Sequence, residues 1–467
     1  MCNSILHYIH SKYMRKNSFI SLVVIFFIGL STQAQSKKWT LEECVNYALE
    51  NNISIKQSEL DTQIASVDKK TAIGNFLPSI NVTTNHSWNI GLNQDITTGL
   101  LRNQTTQFTS SGANVGIDIY KGLQNQNNLR RANLAVIASK YQLLKMQEDI
   151  ALNVANAFLQ VLFNKENLKV QQEQLAINEK QLNRSVELVN AGSIPRGDVL
   201  DIKANLALNR QNVVAAENAL LISKLSLAQL LQIKDFENFD VIDAIRVTDE
   251  IAVLSQSPSA IVEKAKESRT DLKIAQTNLE IAQQNLAIAK GAFQPTVQGF
   301  YGFNTRISYA DVATISGGAL VTKPANPFWT QFGDNKGQSF GAQLSIPIFN
   351  GFSAKNNVER SKVNLEKSKI ALEQQNLDLQ RTVYAAFTDA KGALNANESA
   401  ISTLEARQEA YNYAKEKYAV GMMNSFDYNQ AQTLLINAQS EVLRTKYDSI
   451  FKIKILEFYF GIPIIKN

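Results

Sequence analysis

Cysteine and histidine are scarce in this 467-residue chain, which contains two cysteines and three histidines. Only Cys44 and His86 lie beyond the first 34 residues, so no intrachain disulfide is expected there. A single histidine excludes metal sites built from histidine clusters and argues against histidine-based catalysis. Neither a nucleophile–base set nor a phosphate-binding loop is evident, and we therefore expect no enzymatic activity and no cofactor.

Strong charge of one sign is also missing. The formal net charge is +5, and removing residues 1–34 takes away three basic and no acidic residues, which leaves about +2. This small excess does not support nucleic-acid binding.

The first 34 residues have the pattern of a secretory signal peptide. Three basic residues precede the apolar run 19–30, and small residues suit cleavage after Ala34. Met14 opens an equally ordinary signal, so Met1 and Met14 both remain candidates for the true start. The apolar run is too short for a comfortable membrane span, and no cysteine lies directly after the cleavage point to carry a lipid anchor.

Two halves of the chain share a residue pattern. From Gly122 onward a residue and its counterpart lie 229 positions apart, as Gly122 and Gly351 or Gly192 and Gly421 do. Before that the offset is 217, and the difference of 12 localises one insertion to the interval 295–346. A repeat this long is not a solenoid unit, and it predicts a pseudo-symmetric body with structurally equivalent halves.

The repeat divides the chain after the signal peptide into a first repeat (35–233), a connector (234–257) and a second repeat (258–467). The connector is predicted to be a small packed equatorial region. Each half is predicted to run helix, strand, strand, very long helix, turn, helix. The predicted strands span about 79–91, 108–120, 296–307 and 339–349; the long helices span about 123–191 and 352–420, and the helices after them about 197–232 and 425–460.

Glycine and proline are absent from the 69 residues between Gly122 and Gly192, and Gly392 alone interrupts the matching stretch 352–420. An unbroken helix of that length would reach roughly 100 Å. Apolar residues recur along it at three- and four-residue steps, which predicts a coiled coil or helical bundle. From the helices alone, a soluble rod such as an adaptor or scaffold is an equal alternative.

Apolar and polar residues alternate in the four predicted strands. In the first, Ile80, Val82 and Trp88 alternate with Asn81 and Thr83. Such alternation over about 10 residues is typical of outer-membrane barrel strands, although a soluble half-buried sheet has the same period. No segment after the signal is expected to be apolar enough for a transmembrane helix, so a membrane location has to come through strands.

Four strands are too few to close a membrane barrel, which needs at least about eight. An open sheet edge cannot face lipid, so membrane-embedded strands have to be pooled with other copies of the chain. Residues 91–107 and 308–338 are turn-rich and polar and are predicted to be outward loops, with the 12-residue insertion in the second.

Several short segments together resemble those of the TolC-like outer-membrane efflux proteins. The likeness spans nearly the whole chain after the signal peptide. The segments that carry it are LEECVNYALENN at 41–52, GNFLP at 74–78, AGSIPRGDVL at 191–200, IPIFNG at 346–351 and VGMMNSFDY at 420–428.

The resemblance implies an α+β membrane protein that forms a homotrimer. Each copy would give four strands to a shared 12-stranded outer-membrane β-barrel, surrounded by outer-membrane lipid, above a long coiled-coil tunnel in the periplasm. It implies a passive duct of a tripartite efflux or type I secretion system, fed by an inner-membrane pump of the RND or ABC type through a periplasmic adaptor. The alternative is a periplasmic coiled-coil adaptor or scaffold without a pore. Neither the cargo nor the pump class follows from the sequence.

The resemblance also assigns candidate pore residues. It implies that Asp427 faces the lumen in an acidic ring that favours cations, with Gln430 at the position of a second ring. It also matches Tyr418 and Asp198 to two of three residues whose contact, here called the tie, holds the periplasmic tip of the helices closed. Without the resemblance, both aspartates are better explained as caps at helix N-termini.

The third member of that tie is replaced by Met423, so we expect the closed state to be held mainly by packing. The two turns at the tip differ in sequence, and any moving part of the tube is expected there. The candidates for the tip and for docking of an adaptor are Gly192, Ser193, Ile194, Gly421, Met422 and Met423.

Overall fold

The computed structural model describes residues 38–94, 99, 101–236, 238–242 and 253–463. The predicted signal peptide, 1–34, and residues 243–252 of the predicted connector lie outside this part of the chain. The described elements follow in the order β1 (Lys38–Trp39), α1 (Leu41–Asn51), α2 (Ile53–Gly74), β2 (Ser79–Gln94), β3 (Leu101–Lys121), α3 (Gln124–Asn190), α4 (Arg196–Leu231), β4 (Asp240–Val241), α5 (Pro258–Ser268), α6 (Thr270–Gly291), β5 (Thr296–Ser308), β6 (Val312–Ser316), β7 (Ala319–Lys323), α7 (Phe328–Asp334), β8 (Gly337–Ser345), α8 (Ser353–Ala419) and α9 (Ser425–Tyr459).

Two helices of 67 residues each, α3 and α8, dominate the fold. At about 1.5 Å per residue, each is roughly 100 Å long. Both follow a glycine with positive φ, Gly122 and Gly351. A Cβ at Gly122 would collide with the carbonyl oxygen of Gly291, so the close approach of α6 to this turn requires a residue without a side chain.

The helices pack side by side around three apolar cores. α3 packs against α4, α8 packs against α9, and α6 lies between α3 and α8. The largest core buries Phe158 of α3 and Leu227 of α4 completely. Phe239 and Val241 of the connector join the same core, because β4 pairs in parallel with β1. The described residues of the connector are thus packed against the helices.

An ion-pair network fastens the connector to the two helices of the first half. Asp240 of β4 accepts hydrogen bonds from Lys165 of α3 at 2.9 Å and is paired with Lys224 of α4 at 3.0 Å. Burial raises the pKa of the Asp240 carboxyl, but the hydrogen bonds from Lys165 and Lys224 outweigh it and hold that pKa below its ordinary value. The carboxylate therefore stays ionised at neutral pH.

The four long strands form one antiparallel sheet in the order β2-β3-β5-β8. In its register Ile80 lies opposite Val115, Val115 opposite Tyr301, and Tyr301 opposite Phe340. The two outer edges of this sheet, along β2 and β8, have no strand paired to them within the described chain.

The ends of the strands differ from the sequence prediction. β2 continues to Gln94 and β3 starts at Leu101, so most of the predicted loop 91–107 is strand. Asn and Gly there suggested turns, but the backbone ladder of a long hairpin continues regardless of them. β8 ends at Ser345 rather than near residue 349, since Pro347 has no N–H for the ladder.

The predicted loop 308–338 is also more ordered than expected. It folds into the β6–β7 hairpin and the short helix α7. Gly317 and Gly318 connect the hairpin with φ values of 63° and 85°, the backbone that a two-residue hairpin turn requires.

The expectation that no later helix has the hydropathy of a membrane span was wrong for one helix. Arg196–Leu231 is long and apolar enough by length and composition. Part of its apolar surface is used in helix packing, because Leu227 and Leu231 are fully buried against α3. Leu208, Val214 and Ile222, however, are exposed by 54–63%.

Candidate functional site

One face of the sheet is apolar, and its side chains on the two outer strands are largely exposed. The register places most of the apolar side chains of the four strands on this face. Val82 is 73% exposed, Ile90 83% and Phe340 85%. A monomeric soluble protein rarely exposes a contiguous apolar surface of this extent, so this face is suited to contact lipid.

The opposite face of the sheet is polar. Asn81, Asn114 and Gln298 lie on it, and Gln298 donates a 2.9 Å hydrogen bond to Asp118. The guanidinium of Arg306 lies 3.8 Å from the centre of the Phe108 ring. A sheet with one apolar and one polar face has the residue distribution of a barrel wall between lipid and water.

At the far end of the long helices, two turns reverse the chain. We call the turns 191–195 and 420–424, with the helix ends beside them, the distal tip. In the first, Ser193 N–H donates to Leu188 O at 2.8 Å, and Gly192, with φ 71°, closes the helix. In the second, Met422 N–H donates to Lys417 O at 2.8 Å after the same left-handed glycine geometry. Both turns are Schellman caps.

Asp427 lies in the first turn of α9 and is exposed. Asn424, the N-cap residue, accepts from the Asp427 N–H at 2.8 Å and donates its side-chain amide to the Asp427 carboxylate at 3.0 Å. This reciprocal pair resembles a capping box. The residue that caps α9 is therefore Asn424, and the Asp427 carboxylate, which contacts the Asn424 side chain and no backbone N–H among the described residues, is accessible to solvent.

Asp198 links the two halves at the distal tip. Its carboxylate accepts a 3.3 Å hydrogen bond from the hydroxyl of Ser425, the first residue of α9. The tie of Asp198 to Tyr418 that the resemblance implied is not formed in this chain, because the Tyr418 hydroxyl is buried without a hydrogen-bond partner among the described residues.

Tyr418 instead belongs to a tyrosine cluster of α8 and α9. Its ring stacks on Tyr428 at 4.7 Å between centroids, and the Tyr428 hydroxyl is 2.9 Å from that of Tyr411. Burial, followed by the hydrogen bond to Tyr411, raises the pKa of Tyr428 well above its ordinary value. Met423 packs against this cluster. The side chain at the third position of the tie thus contributes apolar contact.

The remaining predicted tip residues are mostly accessible. Gln430 is exposed on α9, and Met422 is 76% exposed. Gly192, Ser193 and Gly421 are exposed, and Ile194 is half-buried. These residues form a surface at the end of the helices on which a partner has access to backbone and side chains.

A buried amide network joins the two halves a few helical turns from the distal tip. Asn178 of α3 accepts hydrogen bonds from Gln174 at 3.1 Å and from Gln432 of α9 at 2.7 Å. All three side chains are at most 6% exposed. Buried amides of this kind specify one register between packed helices, since any shift leaves a polar group unpaired.

Sequence reasoning missed Tyr411, Tyr428 and the Asn178 network. Tyr411 and Tyr418 are seven residues apart, a spacing that places them on one helix face and was available in the sequence. The partners of Asn178 lie 254 residues away in one case, and no local signal identifies them. Within the described ranges, no cluster of His, Cys, Asp or Glu could hold a metal ion.

The family described as outer membrane efflux protein matches this chain over residues 44–231 and 261–450. The chain belongs to that family. Among its relatives are the outer membrane protein TolC of Escherichia coli K12, 22% identical over 91% of this chain and 83% of TolC, and the cation efflux system protein CusC of Escherichia coli O157:H7, 22% identical over 86% of this chain and 82% of CusC.

Solved structures of outer membrane channels share the fold of this efflux protein. VceC from Vibrio cholerae has a TM-score of 0.74 at 14% identity, covering 90% of this chain and 96% of VceC. The CmeC channel of Campylobacter jejuni has a TM-score of 0.72 at 18% identity, covering 90% and 85%. This outer membrane efflux protein thus has the mixed helical and sheet fold of TolC-like channels, with a large periplasmic part, and the predicted family, outer-membrane location and transport role are confirmed.

Proposed function

We propose that this efflux protein is the channel subunit of a passive export duct. Three copies pool four strands each into a 12-stranded barrel, and their long helices form a tunnel through the periplasm. The duct receives cargo from an inner-membrane pump of the RND or ABC type through a periplasmic adaptor. The observation that carries the proposal is the sheet with an exposed apolar face, a polar face and two unpaired edges.

The unpaired edges support pooling of strands between copies. In lipid every backbone N–H and C=O group needs a partner within the protein. The edge along β2 is 16 residues long, which is too much unpaired backbone to face hydrocarbon. Pairing of β2 in one copy with β8 in the next satisfies the nine residues of β8 and the part of β2 opposite them, and it closes the sheet.

Exposed apolar stripes on the helices support a tunnel made of several copies. On α8, Val363, Ile370 and Leu377 are spaced by seven residues and are 56–60% exposed. Heptad spacing is the pattern of a seam that receives another helix. The apolar outer side of α4, which gives that helix its high hydropathy, is a second such surface.

We assign the distal tip to gating and adaptor docking. Three copies of the exposed Asp427 around a narrow opening would favour cations, and Gln430 adds no charge to that ring. Asp427→Asn, which preserves the hydrogen-bonding shape of the cap, is expected to reduce cation preference in planar-bilayer recordings. Unchanged ion selectivity would remove the ring from the proposal.

Two neighbouring strand residues offer a matched test of the duct. Val82 lies on the apolar face and Thr83 on the polar face of β2. Arginine on a lipid-facing position costs about 2–4 kcal/mol at the bilayer midplane and less toward the interfaces, whereas a lumen position tolerates it. We expect Val82→Arg to lower the yield of the heat-modifiable outer-membrane trimer, and Thr83→Arg to keep it and shift conductance toward anions.

A pore-free periplasmic scaffold makes the opposite prediction. Such a protein would be released by osmotic shock, would show no conductance in planar bilayers, and would tolerate both arginine variants equally. That combination would overturn the duct.

A further inference from the structure

Among the described residues of the first half, no helix corresponds to α7. It lies in the 308–338 segment, which carries the 12-residue insertion identified in the sequence. Its seven residues, FWTQFGD, contain three aromatic side chains, and no charged residue occurs from Pro324 to Gly333. An aromatic, uncharged segment of this kind is unusual for a loop that is surrounded by water.

Side-chain amides of this segment complete the edge of β5. β8 pairs with β5 only as far as Asn304. Beyond that point, Gln331 accepts from Ser308 N–H and donates to Ser308 O, both at 2.9 Å, and Asn335 donates to Arg306 O at 2.7 Å. Water could serve these backbone groups in an aqueous loop. Their replacement by protein amides is what a sheet edge in a water-poor layer requires.

The aromatic side chains of α7 continue the apolar face of the sheet. The Phe332 ring lies 6.0 Å from that of Phe303, which the register places on the same face as Val82. The Trp329 ring contacts the rings of Phe328 and Phe332 edge-on, with centroid separations of 5.1 and 5.8 Å, yet Trp329 is 78% exposed. The neighbouring rings thus hold Trp329 in place, but most of its own ring is uncovered in a single copy of the chain. A large aromatic ring normally buries most of its surface, so we expect this ring to be covered by something outside the single chain.

We propose that α7 is an interfacial anchor whose Trp329 inserts into the outer-leaflet lipid at the rim of the barrel. Tryptophan favours the boundary between headgroups and acyl chains, where its ring is buried and its N–H remains hydrated. The aromatic side of α7 is continuous with the lipid-facing surface of the sheet, and the satisfied edge of β5 allows that rim to enter the boundary. The inference rests on the proposed seating of the sheet in the membrane.

Tryptophan fluorescence separates this inference from the proposed function. The chain has three tryptophans: Trp39 packed against the largest apolar core, Trp88 on the apolar sheet face, and Trp329. Single-tryptophan variants with phenylalanine at the other two positions are reconstituted into phosphatidylcholine vesicles whose acyl chains carry bromine either near the headgroup or near the terminal methyl. Bromine quenches only those rings that touch lipid.

We expect Trp329 emission to fall with bromolipid, more strongly when the bromine is near the headgroup, while Trp39 emission is unchanged. If Trp88 is quenched and Trp329 is not, the sheet is in the membrane and the anchor is wrong. If neither is quenched, the proposed membrane seating fails as well. Trp329 quenched by aqueous acrylamide alone indicates a water-exposed loop, and Trp329 quenched by neither agent indicates a contact between copies; both results overturn the anchor.

A second measurement covers the case in which the double tryptophan variants do not assemble. Trp329→Cys in a Cys44→Ser background, carrying a nitroxide label, reports collisions with oxygen, which concentrates in lipid, and with a water-soluble nickel complex. A label that collides mainly with oxygen supports the anchor. A label that collides mainly with the nickel complex contradicts it.

Discussion

The buried amide network of Asn178 makes a quantitative prediction about the stability of the distal tip. Asn178→Ala removes the single oxygen that accepts from both Gln174 and Gln432. Both donors are at most 6% exposed, so water cannot easily take the place of the lost acceptor. Each buried donor without a partner costs about 1–3 kcal/mol. Alanine recovers about 0.6 kcal/mol through its higher helix propensity.

With two such donors, the net loss is therefore expected to be about 1.4–5.4 kcal/mol, which corresponds to roughly a 10-fold or larger increase in the local opening constant. Native-state hydrogen exchange of the reconstituted protein measures this directly. Peptides from the first half of α9 are expected to exchange faster by that factor, whereas peptides from the β2–β3 hairpin are expected to keep their wild-type rates.

A matched control exists on the surface of α8. Gln408 donates to Asn412 at 3.2 Å with the same spacing of four residues, but the pair is exposed. Asn412→Ala gains the same helix propensity and loses a bond that water replaces, so it is expected to change stability by less than about 0.5 kcal/mol. Equal exchange in Asn178→Ala and Asn412→Ala would refute the reasoning that burial gives the network its strength.

Four further substitutions test other contacts. Tyr418→Phe removes a hydroxyl without a partner among the described residues and is expected to be neutral or slightly stabilising, whereas Tyr428→Phe loses a buried hydrogen bond and should cost about 1 kcal/mol in urea unfolding. In Gly421→Ala the new Cβ meets no atom within 4 Å, but the backbone keeps a φ of +76°, which is unfavourable for alanine. We therefore expect a destabilisation of about 1–2 kcal/mol, measured as faster hydrogen exchange at the distal tip. Lys224→Met is expected to lower stability by about 1–2 kcal/mol at neutral pH. Because the folded-state pKa of Asp240 is lowered, its pairing stabilises the protein above the ordinary carboxyl pKa and is lost as pH falls through the folded-state value, so the difference from wild type should shrink in acid-titrated unfolding curves.

Features that depend on residues close together in the sequence were predicted well, and features that depend on distant residues were predicted less well. The ends of α3 and α8 differ from the predicted limits by one residue, because Gly192 and Gly421 stop a helix through local backbone geometry alone. The strand ends were less predictable. β2 and β3 continue through Asn- and Gly-rich residues because each strand is held by the ladder to the other, which local composition does not encode.

The candidate site divides in the same way. Asp427 could be recognised as an N-terminal helix residue, and its contact with Asn424 is three residues away in the chain. Asp198 has its partner Ser425 at a separation of 227 residues, and a tie to Tyr418 was expected in its place. The packing of two helical hairpins decides which hydroxyl reaches that carboxylate.

By itself the sequence determined the long uninterrupted helices, the glycine turns and the alternation of the strands, because each depends on residues that are neighbours along the chain. Only the tertiary structure decided that Asn178 meets Gln432 and that α7 completes the edge of β5. It also decided that Tyr418 stacks on Tyr428. These contacts join segments far apart in sequence or positioned by different elements, and their geometry is a consequence of how the helices and strands pack.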